Sequence, residues 1–242
     1  MKITCLAFAA LTILISSGQL FPARAVGGTV EFFVDGGKVG ELHCDEFPTA
    51  KPIVLAGRSG PSGHDYSSGL FDNVYIELFD SGRTVICDQD FTCYEVGYWT
   101  LYGSPRPVIV PDVGNPEPCL MSSGDSWYDS GVASGQLFDW SQGFSFAADV
   151  LIDQDANFHG VEFGIADEDT PPESDEESMG RIIGADWGHT GTGGLVLQMR
   201  TDVQDESIPG PAVGQWHRIE ILGTPETAVE GTTWGVVKGL YR

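Results

Sequence analysis

Basic residues are scarce in this 242-residue chain: 12 Lys and Arg stand against 35 Asp and Glu, a formal charge of −23. A field of that sign repels phosphate backbones and anionic headgroups, so nucleic acid and anionic lipid are poor partners. Divalent cations, neutral glycans and basic surface proteins remain. The plainer reading of the acidity is that it keeps a secreted protein soluble, in salt as well as out of it.

Long apolar runs are lacking too. Ile3 to Ile15 is apolar but short for a bilayer span, and no later residue begins a longer run. Lys2 ahead of it and Ala23-Arg24-Ala25 behind it match a secretory signal with a small-x-small cleavage site, against the alternative of a buried N-terminal helix. Residues 1–25 are therefore expected to be removed, leaving a secreted chain from Val26 with no membrane span. Cleavage takes Lys2 and Arg24 but no acid, which leaves 10 basic residues against 35 acidic ones, a charge of −25.

Several catalytic signatures are missing. There is no GxSxG elbow, HExxH pair or phosphate loop, and no CxxC pair supports a zinc site. Cysteine is sparse: Cys5 falls in the signal, and Cys44, Cys87, Cys93 and Cys119 remain. An even number in an oxidising compartment predicts two disulfides, with three pairings open. Cys87 with Cys93 would close a short loop, and Cys44 with Cys119 would tie the N-terminal piece to the body.

What the chain has is turn formers and two-residue alternation. With 32 Gly, 14 Pro and no long amphipathic helical pattern, the sequence reads as all-β. Thr29 to Val34 and Lys38 to His43 flank Asp35-Gly36-Gly37, a hairpin signal. Pro52 to Ala56 and Leu70 to Leu78 follow as strands around a polar loop. Later strands are expected at Tyr98 to Tyr102, Pro107 to Val110, Gly143 to Ile152, Phe158 to Ala166, Arg181 to Trp187, Gly194 to Thr201 and Gln215 to Leu222, with Asp202 to Gly214 as a loop. In Gly143 to Ile152, Phe144, Phe146, Ala148, Val150 and Ile152 share one face, the mark of a strand with one side in the core. The first fifty or so mature residues hold too few apolar side chains to fold alone and must complete a larger sheet.

These pieces resemble the concanavalin A-like jelly roll of laminin G-type modules, legume-type lectins and laminarinase-type glucanases. The string GDSWYDSGVASGQLFDWSQGFSFAADV, from Gly124, is similar to the segment that enters such a module's second and long crossing strands. Asp88-Gln89-Asp90-Phe91 leading to Trp99 resembles its opening, while VEFFVDGGKVGE, PIVLAGRS and the Asp72-Asn73-Val74 strand resemble its closing strands. Here the closing strands come first. The resemblance implies a two-sheet antiparallel β-sandwich, circularly permuted, as one domain over 26–242, with 26–80 supplying the closing strands and 82–242 the opening ones.

The same resemblance carries expectations about function. In the glucanase branch the closing-strand Asp holds calcium, which would make Asp72, with Asp88 and Asp90 nearby, the calcium ligands. A glycan site on the concave sheet would draw on Trp216, Arg218, Gln198, Arg200, Glu162 and Trp187, chosen by alternation. The glucanase acid pattern, Glu-x-Asp-x-Glu, is matched by Glu173-Ser174-Asp175-Glu176-Glu177, but behind Pro171-Pro172 and with polar residues between the acids, as in a solvated loop. The expected function is a non-catalytic, secreted recognition or adhesion module for carbohydrate or a surface protein. The alternatives are a self-assembling surface-layer or filament subunit built by strand exchange, and a laminarinase-type hydrolase.

Overall fold

The computed structural model describes residues 27–58, 69–92, 98–122, 129–152, 160–173, 179–189 and 194–226. The expected signal segment, Cys93 and the acidic stretch Ser174 to Glu177 lie outside them. The described residues form β-strands and no helix: β1 (Gly28–Val34), β2 (Gly37–Cys44), β3 (Ile53–Arg58), β4 (Gly69–Leu78), β5 (Thr84–Gln89), β6 (Trp99–Tyr102), β7 (Val108–Val110), β8 (Cys119–Ser122), β9 (Asp129–Ser134), β10 (Phe144–Ile152), β11 (Gly160–Ala166), β12 (Arg181–His189), β13 (Leu195–Arg200), β14 (Asp205–Pro209) and β15 (His217–Pro225). An 8-stranded sheet runs β2-β1-β15-β10-β4-β8-β7, with β5 also on β4, and a 7-stranded sheet runs β14-β13-β12-β11-β3-β9-β6. All named pairings are antiparallel. The chain is thus an antiparallel β-sandwich of jelly-roll type.

The two ends of the described chain are sheet neighbours. β1 pairs with β15 along its whole length, from Gly28 opposite Pro225 to Val34 opposite Ile219. The hairpin that precedes this contact turns through Asp35 (φ 51°) and Gly36 (φ 77°), two positive-φ residues joining Val34 to Gly37, which suits a two-residue loop. The N-terminal strands do more than seal an edge. β3 lies between β11 and β9 in one sheet, and β4 lies between β10 and β8 in the other. This N-terminal segment thus supplies a central strand to each sheet.

The core fills the space between the sheets. Phe146 of β10 stacks on Phe163 of β11 with centroids 5.6 Å apart, and Phe71 of β4 meets the same ring edge-on at 6.4 Å. Trp140 packs edge-on against Phe144 at 5.4 Å and donates Nε1–H to the Lys51 carbonyl at 2.9 Å. Such aromatic pairs add about 0.5–1.5 kcal/mol each beyond their area.

The expected disulfides are not formed among Cys44, Cys87 and Cys119. Cys44 ends β2 at one edge of the 8-stranded sheet, and Cys119 begins β8 five strand steps away. At ~4.8 Å per step they stand about 24 Å apart, against at most ~7 Å between the Cα atoms of a bridge. Cys87 sits opposite Ile76 on β4 and directs its thiol to the Val74 carbonyl at 3.8 Å. Burial pushes the Cys44 and Cys119 thiols up to about 12, so they behave as small apolar groups. An even cysteine count was therefore a misleading signal in this fold.

Candidate functional site: the outer face of the seven-stranded sheet

Alternation along β11, β12 and β13 sends Phe163, Ala185, Leu197 and Met199 into the core, so the intervening residues form the outer face. Across that face Glu162 pairs in register with Asp186, and Asp186 with Gln198. On the other side Glu162 stands opposite Ala56, and Ala56 opposite Gly131. The next row holds Arg200 opposite Gly184, and Gly184 opposite Gly164. Small residues keep the floor of the face low.

Arg181 lies across that floor. A bulge between Ile165 and Ala166 shifts the register, bringing Arg181 opposite Ala166 and onto the face of Gly184 and Asp186. A Cβ on Gly184 would stand 3.1 Å from Arg181 Cδ and 2.5 Å from the Phe163 carbonyl oxygen, so only glycine lets the arginine lie flat. Its Nη1 donates to Glu162 Oε2 and its Nη2 to Asp186 Oδ2, the latter at 2.5 Å. The side chains of Arg181 and Glu162 are each 5% exposed, while that of Asp186 is 24% exposed with Oδ1 buried and without a hydrogen-bond partner.

Two carboxylates share this one guanidinium. Burial, with the neighbouring Glu162 carboxylate, raises the Asp186 carboxyl to about 6, although Arg181 and, more weakly, Arg200 pull it down. Arg200 in turn donates Nε–H to Asp205 Oδ1 at 2.8 Å, with side chains 33% and 51% exposed. The result is a run of alternating charge across four strands: Glu162, Arg181, Asp186, Arg200, Asp205.

At the Arg200 end the run opens into a cavity of ≈450 Å³ lined by Asp167, Arg181, Arg200 and the turn 201–205. That turn is fixed to the end of β2. Thr201 Oγ1 donates to the His43 carbonyl at 2.7 Å, and Gln204 Oε1 accepts the His43 N–H at 2.7 Å. The two Asp202 carboxylate oxygens accept the N–H groups of Asp45 and Glu46 at 3.1 and 2.9 Å. The wall is thus rigid before any ligand arrives, which lowers the entropic cost of binding.

Of the six glycan candidates, Gln198, Arg200 and Glu162 lie together on this face. Trp187 does not: it is fully buried in the core, donates to the Pro211 carbonyl at 3.2 Å and meets His217 edge-on at 5.4 Å. Trp216 is half-buried just ahead of β15. Arg218 belongs to the outer face of the 8-stranded sheet, where it donates to the Asn73 carbonyl at 2.7 Å and to Asp149 Oδ1 at 3.1 Å. Arg181, Asp186 and Asp205 escaped the sequence reading.

The calcium candidates occupy that second outer face. Asp72 is fully buried; its Oδ1 accepts the Asn73 N–H at 2.7 Å and its Oδ2 the Asn115 N–H at 2.5 Å. Burial raises its carboxyl above the ordinary range, with help from Asp149 and Asp90 and against these two N–H groups. Asp88 is exposed opposite Tyr75, and exposed Asp90 is held by the Thr92 N–H and hydroxyl at 3.0 and 2.7 Å. Among the described residues no three His, Cys, Asp or Glu side chains converge as a metal would require. Of the glucanase-like acids, Glu173 is exposed in the loop after β11. Among the described residues no helix is long and apolar enough to cross a membrane.

No family model matches the chain, and no curated protein matches it.

Proposed function

We propose that this chain is a secreted, non-catalytic recognition module that binds carbohydrate on the outer face of its seven-stranded sheet, and that its strand order is a circular permutation of the concanavalin A-like jelly roll. The observation that carries the proposal is the alternating run from Glu162 to Asp205 beside a rigid cavity. Sugar hydroxyls each donate and accept, and the exposed end of the run, where Arg200 and Asp205 border the cavity, offers both a donor and an acceptor. The pairing of β1 with β15 supports the permutation, and the apolar stretch Ile3 to Ile15 behind Lys2 supports export.

The test is binding of the purified protein to a panel of immobilised polysaccharides, with and without calcium. Retention on at least one neutral polysaccharide is expected, and its loss in Gln198→Ala/Arg200→Ala would place the contact. A folded sample that binds none in either condition would overturn the reading. Retention only with calcium would add Asp72, Asp88 and Asp90 to the proposal.

A further inference from the structure

We infer that the cavity at the end of the charge run reads an uncharged sugar unit through a vicinal pair of hydroxyls, with Arg200 and Asp205 as its donor and acceptor, and that it rejects uronic acids. This rests on the carbohydrate reading and names the ligand class. Arg200 uses Nε–H on Asp205 Oδ1, which leaves both Nη groups able to donate and Asp205 Oδ2 able to accept. A guanidinium fork beside a free carboxylate oxygen presents donors and an acceptor side by side. Two adjacent hydroxyls match that set, one accepting from an Nη group and the other donating to Oδ2.

Gln204 adds a further donor. Its Oε1 is taken by the His43 N–H, which leaves its Nε2 able to donate from an exposed residue on the cavity wall. Val203, 49% exposed, supplies an apolar surface on the same wall against which C–H groups of a pyranose can rest. The volume falls within the usual range of small-ligand sites, about 300–1,000 Å³.

Charge decides between neutral and acidic sugars. Arg181 is already shared by two carboxylates, and Arg200 is paired with Asp205. The lining carries Asp167, Asp202 and Asp205 against Arg181 and Arg200, and Arg181 is shared with Glu162 and Asp186 besides, so the cavity is negative on balance, inside a chain of formal charge −23. A carboxylate on the ligand would meet net repulsion, whereas a hydroxyl would not.

The experiment is calorimetric titration with neutral β-linked gluco- and xylo-oligosaccharides and with oligogalacturonate. It uses the wild type, Arg200→Gln, Asp205→Asn and, as a control, Arg83→Gln on the far sheet, each checked for an unchanged melting curve. A neutral oligosaccharide should bind the wild type and Arg83→Gln alike, and bind Arg200→Gln and Asp205→Asn about tenfold or more weakly, the scale of one lost charge-assisted hydrogen bond. Oligogalacturonate should bind the wild type at least as weakly as those variants bind the neutral ligand. Equal neutral binding by Arg200→Gln, or oligogalacturonate binding as tight as the neutral ligand, would overturn the inference while the carbohydrate reading stands. Failure of every oligosaccharide here and every polysaccharide on the panel would remove both.

Discussion

The two outer faces of the sandwich each carry acids gathered around an arginine, and they end differently. On the 8-stranded sheet, Asp149 Oδ1 accepts from Arg218, and Asp149 Oδ2 from the side-chain amides of Asn73 and Asn115 at 2.8 and 3.2 Å. Asp72 beside it is held by two backbone N–H groups. Fixed donors from the chain itself occupy these oxygens, which is how buried polar groups are normally kept. On the 7-stranded sheet, Arg181 must serve both Glu162 and Asp186, Asp186 Oδ1 has no partner, and the run continues into an open cavity. The first network is closed by the fold; the second runs out to an open cavity.

Arg181→Met should produce the largest effect, because it leaves two buried carboxylates without their shared cation. Removing one partner from a buried ion pair costs about 3–5 kcal/mol, and chemical denaturation at pH 7 should register a loss of that order. A loss below about 1 kcal/mol would mean that the carboxylates are solvated and the open network is not strained. Asp72→Ala is the matching change on the closed face. Leaving the N–H groups of Asn73 and Asn115 without acceptors should cost about 2–4 kcal/mol by the same measurement. Binding to the polysaccharide panel should survive Asp72→Ala, measured below its melting range.

The third expectation concerns pH. The Asp186 carboxyl is raised to about 6, so the folded state binds its proton more tightly than the unfolded chain does. A raised carboxyl destabilises the fold fully above pH 6, and the penalty fades as pH falls toward the unfolded value of about 4. A shift of that size is worth about 2–3 kcal/mol. Asp186→Asn does not titrate, so its stability relative to wild type should be more favourable at pH 7 than at pH 4 by roughly that amount. A pH-independent difference would show that Asp186 titrates normally and that only the closed face, through Asp72, carries a strained acid.

Some of this was legible in the sequence and some was not, for identifiable reasons. The strands of β10 and β15 announce themselves because Phe144, Phe146, Val150, Ile219 and Ile221 alternate without interruption. β14 reads as loop in the sequence, since Asp205-Glu206-Ser207-Ile208-Pro209 offers one apolar residue and a proline; the edge position and pairing with β13 hold it extended. Trp187, expected on the glycan face, shares parity with Ile183 and Ala185, both buried, so the alternation itself points it inward. Arg181 could not have been placed. Its face is set by a bulge, and an inserted residue reverses the alternation on which such an assignment depends.

The smallest expected effect separates the two ends of the open network. Arg200 and Asp205 are an exposed pair, 33% and 51%, on an edge hairpin, and exposed pairs contribute about 0–1 kcal/mol after screening. Arg200→Gln should therefore leave the denaturation midpoint nearly unchanged in 0.15 M salt while removing the donor fork from the cavity. Arg181, 5% exposed and one strand inward from Arg200 on the same face, should show the opposite ratio of stability loss to direct ligand contact. If Arg200→Gln destabilises as much as Arg181→Met, the run is one structural network from end to end, its openness is incidental, and it resembles the closed face after all. If stability is kept and binding lost, the interior of the run holds the sheet while its rim meets the ligand, a division of labour that the fully bonded Asp72–Asp149 cluster has no free groups to perform.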